Sequence, residues 1–106
     1  MPDTVPRRYE EARSLFDNRH YDDAIETFRQ ILKEDPACSG AHHYLGRSLL
    51  EKQSRDEAVR EFAEAIRGNP SDGNSRYWLA QILLGKGSVA DAKSLLYEAM
   101  RLELAG

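Results

Sequence analysis

The residues in this chain whose types could do chemistry are three histidines, one cysteine, several paired carboxylates and a recurring set of tyrosines and arginines. His42 and His43 are adjacent, so on a helix their side chains diverge by about 100° and cannot share a metal ion as residues at i and i+4 do. His20 stands at a helix start, and all three histidines read as structural or surface groups. The acid pairs Asp22–Asp23 and Asp56–Glu57 fall in first helical turns, where the helix dipole favours negative charge without any general acid–base role. Gly85-Lys86-Gly87 is a turn between helical runs rather than a glycine-rich phosphate loop. Cys38 reads as an inert free thiol in a turn, and a lone cysteine cannot form an intramolecular disulfide. No nucleophile with its base, no metal set and no phosphate loop emerges, so the expectation is no enzyme, no cofactor and no metal.

Composition narrows the partners. The chain has 106 residues, 41% hydrophobic and 31% charged, with a net charge of -3. That is the balance of one soluble domain, expected to span 1–106 and to fold without disulfide or metal support. An acidic chain (pI about 5.6) is poorly suited to phosphate contacts, which argues against nucleic acid. Apolar runs such as Ile82 to Leu84 are far shorter than the roughly 20 residues of a membrane span. Met1 to Arg8 lacks the apolar core of a signal peptide, so a cytoplasmic protein without membrane attachment is expected.

The elements that position these residues follow from an internal repeat. Pro36 and Pro70 lie 34 residues apart, as do Phe28 and Phe62, and Ala24, Ala58 and Ala92 carry the step across the chain. Small residues recur at Ala12, Gly46 and Ala80, and large apolar ones at Leu15, Leu49 and Leu83. Three copies result: 5–38, 39–72 and 73–106. Each holds two runs with the periodicity of one helical face, which predicts helices at 5–18, 21–34, 39–52, 55–68, 73–86 and 89–103. Pro36 and Pro70 end the second helices of the first two copies, because proline cannot donate to a continuing helix. Ser54 with Glu57 reads as a capping box, Ser88 with Asp91 as a similar start and His20 with Asp23 as a weaker one. Gly46, Ala58 and Ala65 let paired helices approach while Leu45, Leu49 and Phe62 fill the space around the contact.

The period of 34 with Leu45-Gly46, Leu49, Ala58, Phe62, Ala65 and Pro70 resembles the tetratricopeptide repeat, and Tyr21-Asp22-Asp23-Ala24-Ile25 is close to that family's second-helix opening. The resemblance covers nearly the whole chain. It implies an all-α, right-handed superhelical array of three helix-turn-helix hairpins, whose first helices line a concave groove for peptides or proteins. Glu11 replaces an expected leucine, Arg8, His42 and Arg76 stand where the family favours tryptophan, and Leu104 stands in place of proline. Some members hold a chaperone's C-terminal carboxylate with lysines and asparagines. The matching places here, Tyr9, Arg13, Tyr44, Asn74 and Trp78, lack that pattern, which disfavours such a tail.

Within the groove, equivalent positions should form an aromatic or imidazole row (Tyr9, His43, Tyr77), a polar row (Arg13, Arg47, Gln81) and an apolar row (Phe16, Leu50, Leu84). Tyrosine and arginine bury large areas at low entropic cost and also hydrogen-bond, so the expected function is a protein-interaction scaffold. Its ligand should be a protein or peptide with acidic beside apolar residues. The alternative is a structural self-assembly module, because the third copy is the most apolar at its outer edge: Leu95, Tyr97, Leu102 and Leu104, with Met100 beside them. That edge should be covered by a second copy in a homodimer or by a capping helix from a longer parent chain.

Overall fold

The computed structural model describes residues 4–105, with side chains over 5–103. It contains six helices: α1 (Thr4–Asp17), α2 (Tyr21–Glu34), α3 (Ser39–Glu51), α4 (Arg55–Gly68), α5 (Gly73–Gly85) and α6 (Val89–Ala105). α2 and α4 stop just before Pro36 and Pro70. α6 has Leu104 at that place and runs on to Ala105, two residues beyond the expected end.

Consecutive helices pack in pairs, α1 with α2, α3 with α4 and α5 with α6, and the pairs stack through α2 on α3 and α4 on α5. The result is a right-handed array measuring 45 × 30 × 22 Å. No described helix is long and apolar enough to cross a membrane. The repeated small residues sit where the helices meet: Ala12, Ala24, Ala58, Ala80 and Ala92 are fully buried. Phe28 and Phe62 are also fully buried, and each contributes roughly 1.5–3 kcal/mol by leaving water. At Gly46 the absence of a side chain is used, because a Cβ there would lie only 3.0 Å from Cε1 of Phe62.

The turns inside the hairpins repeat as well. Arg19, Gln53 and Gly87 take left-handed φ values of 66°, 63° and 85° at equivalent places. Each turn is closed by a backbone bond reaching back across the helix end, His20 N–H to the Leu15 carbonyl, Ser54 to Leu49 and Ser88 to Leu83, all at 2.8 Å.

Two of the expected caps are not made. Neither Ser54 nor His20 accepts a hydrogen bond through its side chain. Glu57, the other half of the expected capping box, pairs instead with Arg29 of the preceding hairpin at 3.1 Å. Ser88 offers its carbonyl to the Ala92 N–H at 3.1 Å. The side-chain cap that does form is Asp72, whose Oδ1 accepts from the Ser75 N–H at 2.9 Å. His42 also proves to be a tether: it bonds Oε1 of Glu61 through Nδ1 (2.7 Å) and the Pro36 carbonyl through Nε2 (2.9 Å).

Candidate functional site

α1, α3 and α5 lie side by side and carry the expected rows, but they assemble around residues those rows did not include. The guanidinium carbon of Arg13 sits 4.8 Å from the centre of the Tyr44 ring. Arg47 lies 4.8 Å from both Phe16 and Trp78 and 6.0 Å from Tyr44. Phe16 meets Tyr44 edge-on at 5.3 Å, and Tyr9 meets it at 6.3 Å. Cation and ring therefore alternate along the groove, Arg13, Tyr44, Arg47, Trp78, with Phe16 alongside. Tyr44 and Trp78 were the residues missed in the sequence rows. The signal for them is present: each stands three residues before a member of the polar row, Arg47 or Gln81, one helical turn away.

A guanidinium packed over an aromatic ring still carries N–H donors, which can grip a carboxylate with two parallel bonds. Among the described residues, neither Arg13 nor Arg47 has an acidic partner within 4.0 Å, and Nε of Arg13 is buried without any acceptor. The opposite side of the array differs. There Lys52 pairs with Asp22 at 3.3 Å, Lys86 with Asp56 and Arg29 with Glu57, so those charges are already neutralised across the repeats.

The aromatic row divides. Tyr9 is half-buried, its hydroxyl lies over Gly40, and burial, aided by the neighbouring Tyr44, pushes its pKa upward. His43 departs from the expectation of an open groove position: it is 8% exposed, because α5 closes over it. Its Nδ1 bonds Oγ of Ser75 at 2.7 Å, and that hydroxyl donates to Oδ2 of Asp72 at 2.5 Å. Since the serine proton goes to the carboxylate, His43 is the donor in the first bond. Burial holds the His43 pKa below its usual value and Arg47 and Arg13 add to this, while Asp72 opposes it. Serine, histidine and aspartate in a chain invite comparison with a nucleophilic triad. Here the hydroxyl donates to the acid rather than to the imidazole, and Ser75 is fully buried, so the set ties two repeats together.

The other row members fall at the open end. Tyr77 is 47% exposed and meets Trp78 edge-on at 5.5 Å, Gln81 is exposed, and Leu84 is 42% exposed. Leu50 packs against the core. At the expected edge, Tyr97 and Met100 are exposed, at 62% and 57%, whereas Leu102 is half-buried. Leu95 leans on the core instead of standing open, and the side chain of Leu104 lies outside the described residues.

The chain belongs to the tetratricopeptide repeat family, whose pattern matches residues 9–59 and 45–102. No match was found among curated protein sequences. Among solved structures, the type III secretion translocator chaperone SycD of Yersinia enterocolitica, in an alternative dimer, is 25% identical, with a TM-score of 0.90 over 96% of this chain and 77% of that one. SycD in complex with a peptide of the translocator YopD is 24% identical, with a TM-score of 0.90 over 96% and 78%. The second repeat domain of Spaghetti (RPAP3), bound to an HSP90 peptide, is 18% identical, with a TM-score of 0.87 over 92% and 91%.

Proposed function

We propose that the three repeats, 5–38, 39–72 and 73–106, act as one scaffold whose concave side takes a peptide or protein segment with acidic residues beside apolar ones. Arg13 and Arg47 receive the carboxylates. Tyr9, Phe16, Tyr44 and Trp78 supply the apolar floor, and Leu50, Tyr77, Gln81 and Leu84 extend it towards the third repeat. His43 braces the floor from beneath and does not touch the ligand.

The observation that carries this reading is the pair of half-buried guanidiniums held over aromatic rings with no acid against them. The rings fix each cation in place, so little side-chain entropy remains to be lost on binding. Peptide complexes of similarly folded proteins, SycD with YopD and RPAP3 with an HSP90 peptide, support a groove of this use. The places that match the lysine and asparagine clamp of some members read Tyr9, Arg13, Tyr44, Asn74 and Trp78 here, which favours acidic side chains within a segment over a free C-terminal carboxylate.

Affinity capture with the intact chain, followed by mapping of the retained segment, supplies the ligand. R13E/R47E should then weaken that peptide at least tenfold, and wild-type affinity should fall as salt rises. Amide signals of α1 and α3 should move on titration while Arg29, Glu64 and Glu98 stay still. A folded R13E/R47E chain with unchanged affinity would overturn the reading.

A further inference from the structure

His43 takes no part in gripping a ligand, yet it lies close to both cations that do. Its ring meets Tyr44 edge-on at 4.9 Å, and the same Tyr44 ring carries Arg13 at 4.8 Å and Arg47 at 6.0 Å. One aromatic side chain therefore stands between the imidazole and the two guanidiniums, and both charges act on it from roughly 10 Å, about one Debye length at 0.1 M salt. The charged groups that face His43 are Arg13 from α1, Arg47 from its own helix and Asp72 from the cap of α5. α4 faces it with the Phe62 ring at 5.8 Å, and α2 stands behind Tyr44 with Phe28, 6.0 Å away, so both of these contribute apolar rings.

The hydrogen bonds of this histidine leave one place open for a proton. Nδ1 donates to Oγ of Ser75, and that hydroxyl donates on to Asp72. Nε2 has no partner among the described residues and, unlike Nε of Arg13, is not sealed from solvent. A proton added at Nε2 therefore breaks none of the existing bonds. The obstacle to it is electrostatic, since an imidazolium would sit in a nearly dry site beside two cations that lack acid partners. A carboxylate on each guanidinium removes the repulsive part of that obstacle. It adds little to the desolvation part, because the ring is only 8% exposed before anything binds. Asp72 keeps its place throughout and favours the charged ring.

We propose that His43 couples filling of the groove to the uptake of one proton, so that an acidic segment is held more tightly in mildly acidic solution than at neutral pH. The inference rests on the groove reading above and adds a regulator to it. Proton linkage sets the direction. In the free chain burial and the two arginines keep the ring neutral at pH 7, and pairing of those arginines makes it more basic. Where the bound chain holds the proton and the free chain does not, affinity rises as pH falls. The gain is about three- to tenfold, the size expected of two charges at about 10 Å acting through a mostly aqueous dielectric. By reciprocity the bound segment raises the proton affinity of His43 by the same factor.

The probe is the blocked peptide acetyl-Glu-Leu-Glu-Leu-Glu-Leu-amide, which places acids beside apolar residues and has no group that titrates near pH 6. The Cε1 proton signal of His43 is followed in the full chain from about pH 8 to about pH 5, with and without the peptide, and is assigned by its loss in H43N. Saturating peptide should move the His43 midpoint upward, and Trp78 fluorescence should show at least threefold tighter binding at the acid end. H43N should bind the peptide with an affinity that no longer changes over this range. Without peptide, R13Q/R47Q should move the midpoint upward as well, whereas R13K/R47K, which keeps both charges, should leave it in place. Bound peptide with an unmoved midpoint, the same pH dependence in H43N, or an unmoved midpoint in R13Q/R47Q would overturn the proton coupling and leave the groove reading standing. No saturable binding at any pH, or binding that survives R13E/R47E, would overturn both.

Discussion

Replacing Gly46 by alanine sets two effects of opposite sign against each other, and the structure decides between them. Alanine in a helix interior is favoured over glycine by about 1 kcal/mol. The new Cβ, however, would lie 3.0 Å from Cε1 and 3.1 Å from both Cδ1 and Cζ of Phe62. That ring cannot swing aside into solvent, because Phe62 is fully buried and His43 meets its ring at 5.8 Å. Overpacking of this kind costs about 1–3 kcal/mol. The net expectation is a loss of up to about 2 kcal/mol for Gly46→Ala, a fall in Tm of several degrees in a domain of this size. Gly85 is the control, since it ends α5 with nothing within 4 Å of its Cβ position. Gly85→Ala should be neutral or stabilising by up to about 1 kcal/mol, less than the full propensity because helix ends fray. Urea unfolding of both variants, followed by circular dichroism, gives the two signs. Gly46→Ala at least as stable as the wild type would show that the α3–α4 contact is looser than described.

Two further outcomes follow from the α3–α5 junction. The His43 pKa is lower in the folded chain than its ordinary value of 6.5, so its contribution to stability is fully present above pH 6.5 and is lost as pH falls from there towards the folded value. His43→Asn, whose amide can still donate to Ser75, should flatten the dependence of stability on pH as pH falls below the ordinary histidine value of 6.5; an unchanged slope would assign it to other groups. Asp72→Ala removes the α5 cap and the acceptor of the buried Ser75 hydroxyl together, and should cost about 1–3 kcal/mol in urea unfolding, whereas Ser54→Ala, which loses no side-chain bond, should be nearly silent.

The helices were legible because their causes are local. The 34-residue spacing of Ala24, Ala58 and Ala92, the prolines at 36 and 70, and a single helical period in each run set six helices within two residues of their observed ends. The extension of α6 past 103 was missed, although Leu104 stands where a proline would have stopped the helix. Capping was not: the Ser54 N–H that a capping box offers to the Glu57 carboxylate goes to the Leu49 carbonyl in the turn, and Glu57 pairs with Arg29, 28 residues away. The groove was half legible. Arginine and tyrosine spacing put Tyr9, Arg13 and Arg47 on one side of α1 and α3, but which ring meets which cation depends on how far one hairpin rotates against the next. That rotation puts Tyr44 between Arg13 and Arg47 and draws α5 over His43. Repetition along the chain thus determines the elements and their order. The stacking of one repeat on another decides which of the equivalent positions are buried and which stay open, because burial belongs to a pair of surfaces and only one of the two is written at any given residue.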